Sequence, residues 1–324
     1  MTTMTIAKAI TAGLRRVLEQ NPKSLLIGED IGRLGGVYRV TEGLQADFGE
    51  DRVVDSPLAE SGIIGTSIGL AIRGYSPIAE IQFDGFVFPG FNQITTQLAK
   101  MRARSEGRFG APVVIRIPYG GGIGSIEHHS ESPEALFAHT AGLRIMAPSN
   151  AHDAYWMIQE AAASQDPVIF FEPKRRYWLK GEVDTENPAS PAASAQVVRP
   201  GTDATIVTYG PLVPVALAAA EAAAEDGRSV EVVDLRSVSP IDFDAIVASV
   251  EKTGRLVVTH EAPTFGGIGG EIAARVSERA FLSMEAPAIR VGGFHMPYPV
   301  SKVEDQYLPD IDKLLDALDR SFAY

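Results

Sequence analysis

The chain has 324 residues, of which 45% are hydrophobic and 22% are charged, as is ordinary for a globular protein of about two domains. A net charge of −12 argues against a nucleic-acid partner, because nothing in that balance offsets phosphate repulsion. No cysteine is present, which excludes disulfides, a thiolate zinc site and a cysteine nucleophile.

The sequence predicts neither a membrane-spanning segment nor an N-terminal transit peptide. The longest strongly apolar run, 62–72, is too short for a bilayer, which needs about 20 apolar residues. Residues 4–20 carry three bases before the first acid, as in a transit peptide, but apolar side chains recur at helical spacing at Ile6, Ile10, Leu14, Val17 and Leu18. We expect a folded amphipathic helix there, and a cytoplasmic rather than a mitochondrial location.

Short β-branched runs alternate with helical segments through the first half of the chain. Strands are predicted over 25–28, 52–54, 78–83, 113–118, 143–147 and 168–171, and helices over 62–73, 89–105, 133–139 and 153–164. Near-continuous apolar strands separated by helices indicate a parallel sheet covered on both faces. The sequence therefore predicts an α/β domain over residues 1–185.

A second α/β domain follows a change in composition. Residues 181–201 are rich in Pro, Ala and Ser and lack apolar periodicity, so the linker is placed at 186–201. Strands are then predicted over 204–209, 229–235, 255–259 and 288–291, and helices over 213–224, 242–252, 270–283 and 311–321. The second domain is expected to span residues 202–324.

Ligands of parallel α/β sheets bind at the carboxyl ends of the strands, and one loop there carries Glu60 beside the start of a predicted helix. A carboxylate in that place can complement the helix dipole, which is worth about 0.3–1 kcal/mol. With apolar Leu58 and Ile63 on either side, it can instead hydrogen-bond a ligand nitrogen. The residues alone leave both interpretations open.

Two glycine-rich loops follow strands, over residues 119–125 and 265–270. Neither loop matches the dinucleotide-binding fingerprint or the nucleotide-binding P-loop. The proposals of a dinucleotide-binding protein and of a P-loop protein therefore lose their main support. The glycines favour backbone freedom, or close approach to a ligand or another chain.

Two adjacent histidines, His128 and His129, continue the first glycine-rich loop. A metal site needs three or four ligands, and neighbouring histidines rarely face one ion, so no metal site is predicted. One histidine can act in proton transfer, and solvent exposure is the alternative. Residues 80–91 hold four phenylalanines, which indicate core or interface packing, or the wall of an aromatic ligand's pocket.

Six segments, in order along the chain, resemble the β subunit of the thiamine-diphosphate-dependent decarboxylating component of 2-oxo acid dehydrogenase complexes. They are residues 28–30, 56–62, 81–83, 129–135, 171–173 and 234–236. That family has a pyrimidine-binding domain with a parallel sheet, followed by a transketolase-like C-terminal α/β domain. Both match the two predicted domains.

The resemblance implies roles for particular residues. Glu60 would contact N1′ of the cofactor's aminopyrimidine ring, where a shared proton favours the imino tautomer. Phe86 would lie against that ring, with Leu58 and Gln82 nearby. His129 would face the reacting centre and help the acyl group pass to a lipoyl arm, although His128 beside it leaves open which imidazole points inward.

The resemblance also implies that a partner completes the site. The family holds the cofactor's diphosphate and Mg²⁺ through a Gly-Asp-Gly signature that this sequence lacks. An α subunit is therefore expected to supply it, within an α2β2 heterotetramer. Some relatives bind K⁺ through the segment before Pro167; here Ser164 stands where aspartate is common, so the ion is left open.

The predicted function is oxidative decarboxylation of a 2-oxo acid, with acyl transfer to the lipoyl group of a dihydrolipoyl acyltransferase. Segments 81–83 and 171–173 favour a branched-chain substrate. A pyruvate or acetoin dehydrogenase β subunit is the alternative, and a non-catalytic subunit of the same fold is the alternative from another class.

An acidic C-terminal segment predicts a docking surface for the acyltransferase. Residues 303–324 hold six acids against two bases, and the surface would include Asp312, Asp316 and Asp319. The alternative is a solvated helix face opposite buried leucines.

Overall fold

The computed structural model describes residues 1–324, and its N-terminal half alternates strands with helices. The strands are β1 (Thr2–Thr5), β2 (Ser24–Gly28), β3 (Val53–Asp55), β4 (Ser76–Glu80), β5 (Val114–Tyr119), β6 (Arg144–Met146), β7 (Val168–Pro173) and β8 (Lys180–Val183). The helices are α1 (Ile6–Gln20), α2 (Leu44–Phe48), α3 (Glu60–Ile72), α4 (Met101–Arg104), α5 (Glu134–Ala138) and α6 (Ala151–Ala163).

The C-terminal half repeats this alternation. Its strands are β9 (Gln196–Arg199), β10 (Ala204–Thr208), β11 (Val230–Asp234), β12 (Ser237–Ser239), β13 (Leu256–Pro263) and β14 (Ile289–Gly293). Its helices are α7 (Val213–Glu225), α8 (Phe243–Thr253), α9 (Ile268–Ala280), α10 (Glu304–Tyr307) and α11 (Ile311–Phe322). None of the helices combines the length and apolar character that crossing a bilayer requires.

Two main sheets organise these elements. The larger has the order β12-β6-β7-β5-β4-β2-β3 and is parallel except where β12 meets β6. The smaller has the order β14-β13-β10-β11-β9, and β9 is its antiparallel edge. Every residue of β2, β5, β7, β10 and β11 is buried, as expected of strands covered on both faces. The predicted pair of α/β architectures is confirmed.

The N-terminal amphipathic helix predicted from spacing is confirmed as α1. Its five predicted apolar residues are all buried, and α1 packs along α6. The hydroxyl of Thr5 accepts a hydrogen bond from the Lys8 amide and caps the helix.

The helix predicted over 89–105 is wrong. A 3₁₀ turn (Asp84–Gly90), a π-helical turn (Gln93–Gln97), a second 3₁₀ turn (Leu98–Lys100) and α4 occupy this region. The hydroxyls of Thr95 and Thr96 bond to the carbonyls of Phe91 and Asn92, four residues earlier, and such bonds compete with regular helix geometry. Periodicity alone does not reveal this competition.

The segment predicted as the linker does more than connect. Its last part forms β9, which pairs with β11 of the smaller sheet. Arg236 binds the earlier part: its guanidinium donates to the carbonyls of Ser190, Pro191 and Ser194. It also makes two hydrogen bonds, of 2.7 and 3.1 Å, with the Asp153 carboxylate on α6. Arg236 therefore fastens the connecting segment to the N-terminal half.

A buried charge network joins the three central strands of the larger sheet. Arg116 on β5 makes a bidentate contact with Glu172 on β7, at 2.6 and 3.0 Å, and a 2.6 Å hydrogen bond with Glu80 on β4. All three side chains are at most 6% exposed. Burial raises the pKa of Glu80, although the Arg116 charge opposes that shift. One guanidinium thus fixes the carboxyl ends of three neighbouring strands.

Replacing Arg116 by Met should lower the free energy of unfolding by about 3–5 kcal/mol, because two buried carboxylates lose their counter-ion. Urea denaturation of the purified chain measures this difference. Arg108→Met is the matched control, since its ion pair with Glu106 is largely exposed, and it should change stability by no more than about 0.5 kcal/mol. Equal effects of the two substitutions would contradict a special role of Arg116.

Candidate active site

The candidate site lies where the carboxyl ends of β3, β4, β5 and β7 meet at one edge of the larger sheet. Glu60 follows β3, Gln82 and Phe86 follow β4, and the two histidines follow β5. Parallel strands present these ends side by side, so residues distant in sequence become neighbours.

Glu60 is the first residue of α3 and is only 8% exposed. Its position at the amino end of a 13-residue helix lets it complement the helix dipole. Both interpretations of Glu60 are therefore compatible with its place.

Glu29, directly after β2, is a second buried carboxylate beside Glu60. Burial first, and next the charge of Glu60, raise the pKa of Glu29. Its Oε1 atom is buried without a hydrogen-bond partner. The sequence did not single out Glu29, although a carboxylate directly after a buried strand was a usable signal.

An aromatic wall stands beside these carboxylates. The rings of Phe83 and Phe86 meet edge to face with their centroids 5.6 Å apart. The His129 ring packs against both, with centroids 4.3 Å from Phe83 and 5.1 Å from Phe86. The structure thus brings Phe86 and His129 together, as the sequence predicted.

His129, and not His128, points inward. His128 is exposed, with Nδ1 3.7 Å from the Glu127 carboxylate, whereas His129 is half-buried and its Nδ1 has no hydrogen-bond partner. Burial, and then the charges of His128 and Lys174, lower the pKa of His129. The inward imidazole, with one ring nitrogen that no group of this chain occupies, is a candidate for proton transfer.

Gln82 and Leu58 lie next to the aromatic wall and the carboxylates, and each contributes something different. The Gln82 side chain donates a 3.4 Å hydrogen bond to the Glu29 carbonyl, which ties it to the carboxylate side of the site. Leu58 is 81% exposed and contributes an apolar surface at the rim. The cavity of about 370 Å³ between the two halves includes neither Glu60 nor Phe86.

The glycine loop, residues 119–125, is held by two carboxylates from the C-terminal half. Glu304 accepts hydrogen bonds from the amides of Gly122 and Gly124, both at 2.9 Å, and Glu261 accepts from Gly121 at 3.0 Å. These amides therefore already bind anionic groups of the chain itself. Close approach explains the loop, but the approach is to another part of the same chain, whereas the sequence predicted approach to a ligand or another chain.

Gly122 shows why this loop needs glycine. Its φ is +82°, in the region that side chains rarely adopt, and an added Cβ would lie 2.6 Å from the Arg175 side chain. Arg175 in turn forms a 2.6 Å ion pair with Glu261, so the loop, β7's end and β13 are joined here.

A buried ion pair between Asp84 and Lys174 lies beneath the histidines, and the sequence did not predict it. Both side chains are fully buried. Burial raises the pKa of Asp84 to about 6, although the Lys174 ammonium opposes that shift. Two isolated charged residues in a sequence look like surface residues, so no sequence signal identified them.

The family models match almost the whole chain. The transketolase pyrimidine-binding domain matches residues 2–178, and the transketolase C-terminal domain matches residues 193–314. A solved chain described as a split gene transketolase, an inactive β4 tetramer, has the same fold, with a TM-score of 0.83 at 22% identity over 99% of this chain and 98% of that one. The protein is thus of the transketolase-like, thiamine-diphosphate-dependent class.

Its curated relatives narrow the family. A pyruvate dehydrogenase E1 component subunit beta of Leifsonia xyli is 65% identical over 98% of this chain and 95% of its own. A 3-methyl-2-oxobutanoate dehydrogenase subunit beta of Mycobacterium tuberculosis is 50% identical over 98% and 91%. The Bacillus subtilis pyruvate dehydrogenase E1 component subunit beta is 45% identical over 98% of both chains. The chain belongs to the family of 2-oxo acid dehydrogenase E1 β subunits.

The residues at the site fit the aminopyrimidine part of thiamine diphosphate. Glu60 offers a carboxylate for a ring nitrogen, and Phe83 and Phe86 offer aromatic surface beside it. The glycine loop does not offer a binding site for the diphosphate, because its amides are bound to Glu261 and Glu304 and these carboxylates would repel the diphosphate.

Proposed function

We propose that this chain is the β subunit of an enzyme that oxidatively decarboxylates pyruvate or a branched-chain 2-oxo acid. Carbon dioxide leaves, the remaining carbonyl carbon is oxidised, and a lipoyl disulfide is reduced to a thioester and a thiol. The buried carboxylate of Glu60 beside the aromatic wall, at the carboxyl edge of a parallel sheet, is the observation that carries this proposal.

Of the segments that favoured a branched-chain substrate, 81–83 and 171–173, Gln82 and Phe83 lie at the site, whereas three other side chains do not. Ile81 and Phe171 are fully buried in the core, and Glu172 binds Arg116. These side chains hold the sheet together and do not reach a substrate. The relatives named above include both pyruvate and 3-methyl-2-oxobutanoate enzymes, so both substrates are proposed for test.

An α subunit is proposed to complete the site in an α2β2 heterotetramer. Leu58, which is 81% exposed and only two residues from Glu60, offers a second chain an apolar contact. That chain would hold the diphosphate and Mg²⁺, since the glycine amides of this chain are bound to Glu261 and Glu304. The relatives are E1 component β subunits by name, which supports a partner of this kind.

When bound, thiamine diphosphate supplies a carbon nucleophile for the substrate's carbonyl group. Glu60 would hold a proton at the aminopyrimidine nitrogen, and Phe86 and Gln82 would orient that ring. The imidazolium form of His129 would give a proton to the lipoyl sulfur that leaves as a thiol. The walls of Phe83 and Phe86 would limit water around both groups.

The segment before Pro167, where a K⁺ site was left open, already makes hydrogen bonds within the chain. Ser164 exchanges hydrogen bonds with the Asp166 backbone, and its Oγ also lies 3.5 Å from the Arg144 guanidinium. A positive side chain at this distance would oppose a cation. Thermal denaturation in K⁺ and in Na⁺ tests the site, and equal midpoints would contradict it.

Docking of a dihydrolipoyl acyltransferase on α11 is also proposed, with Asp312 as its main carboxylate. Asp319 pairs with Arg228, and Asp316 lies 3.6 Å from Arg320, which leaves less free negative charge than the sequence suggested. Asp312→Asn should weaken association at low salt and have little effect at high salt. Unchanged association at low salt would place docking elsewhere.

The test of the proposed function is an assay of the assembled pair. The chain, combined with an α subunit, thiamine diphosphate and Mg²⁺, should release CO₂ from pyruvate or from 3-methyl-2-oxobutanoate with an artificial electron acceptor. Lack of turnover with every 2-oxo acid tested, in a correctly assembled pair, would favour the non-catalytic alternative.

Glu60→Gln should leave the pair folded and assembled but lower CO₂ release by about 10²–10⁴-fold, because an amide cannot hold the proton that a carboxylate holds. Rates at saturating cofactor measure this loss. Glu278→Gln on the exposed side of α9 is the matched control and should keep full activity. Near-normal turnover of Glu60→Gln would refute the assignment.

A further inference from the structure

A buried ion pair attaches the histidine loop, residues 126–132, to the protein core. Lys174, in the turn after β7, donates from Nζ both to the Asp84 carboxylate and to the backbone carbonyl of His129. Asp84, after β4, accepts on its other oxygen a 2.8 Å hydrogen bond from the Glu131 amide. The pair therefore binds the loop backbone at residue 129 and again at residue 131.

The same pair also reaches the ring that supports the imidazole. The Lys174 ammonium lies 5.4 Å from the centroid of Phe83, and Phe83 packs directly on the His129 ring. The loop has little freedom on its other side, since a Cβ added at Gly85 would lie 2.5 Å from the His128 Cα. Backbone and ring of His129 are thus both fixed relative to the strand ends.

We propose that Lys174 and Asp84 are positioning residues that set the place of the His129 imidazole for acyl transfer to the lipoyl group. This inference rests on the proposed function, because it concerns the step assigned to His129. The extended reach of Lys174 from β7 across the end of β5 gives the loop a fixed reference that its own glycine-rich sequence cannot provide.

The ion pair has an electrostatic consequence for His129 as well. Three charged or titratable groups face this ring from other elements: Lys174, Asp84 and, on the far side of Phe83, Tyr38. The loop itself contributes Glu127, His128 and Glu131. Of these, Lys174 and His128 lower the pKa of His129, in addition to burial. Removing the Lys174 charge should therefore raise that pKa.

The experiment compares two reactions of the assembled enzyme: CO₂ release with an artificial acceptor, and acylation of a free lipoyl domain. Lys174→Met removes both the charge and the donor to the His129 carbonyl. It should slow lipoyl acylation by about 10²-fold, as a displaced catalytic group does, with a much smaller effect on CO₂ release. Lys174→Gln keeps a donor and should recover part of the acylation rate.

The pH profile separates positioning from a general structural role. In both Lys174 variants the limb of the acylation profile that depends on His129 should move to higher pH, since the cation no longer opposes protonation of the imidazole. Lys252→Gln is the matched control: its ion pair with Glu231 is also lysine to carboxylate, but lies in the C-terminal half. It should change neither rate nor profile.

Equal losses in both reactions with no movement of the pH limb would overturn the proposal, and so would unchanged acylation. Should the Lys174 variants fail to fold, Asp84→Asn replaces them, because its carbonyl oxygen can still accept from the Glu131 amide. The same selective loss is then expected, and a wild-type acylation rate would overturn the proposal. Failure of the wild-type pair to release CO₂ from any 2-oxo acid would instead refute the proposed function.

Discussion

The architecture of the site depends on one guanidinium, that of Arg116. It binds carboxylates on the strands to either side, and each of these strands leads within a few residues to a site loop. Glu80 precedes Gln82, Asp84 and Phe86, whereas Glu172 precedes Lys174 by two residues. Because the three side chains are buried, their geometry must be well matched for the charges to be tolerated. That requirement fixes the relative positions of the strand ends, and hence of the loops.

Buried carboxylates serve three distinct purposes around this edge. Glu80 and Glu172 join strands through Arg116, and Glu261 and Glu304 hold the glycine loop from the C-terminal half. Glu29 and Glu60 remain with oxygen atoms available to a ligand, and Glu29 has one oxygen with no partner at all. The acidic character of the chain is thus partly structural.

Periodicity predicted the two α/β halves, most strands to within two residues, and the buried face of α1. It failed over 89–105, where threonine hydroxyls, a proline and a glycine favour short turns over one helix. Glu60, Phe86 and His129 were identified through a family resemblance, and the structure places them at one edge of the sheet. Asp84 and Lys174 were missed, because only the sheet's strand order shows that charges far apart in sequence meet in the interior. Glu29 was missed although its place directly after a buried strand was visible in the sequence.

The sequence could not show which of His128 and His129 points inward, and the three-dimensional structure was needed to decide it. Neighbouring residues in a loop point in different directions, and the contact of His129 with Phe83 depends on where β4 ends. The exposure of Leu58 is likewise visible only in the folded chain. The α subunit proposed above would cover this side chain.

Calorimetry with thiamine diphosphate and Mg²⁺ tests whether this chain forms half of a cofactor site. The purified chain and its equimolar mixture with an α subunit would be titrated under identical conditions. Saturable, Mg²⁺-dependent binding is expected from the mixture, and only weak heats are expected from the chain alone. Tight Mg²⁺-dependent binding by the chain alone would contradict a shared site.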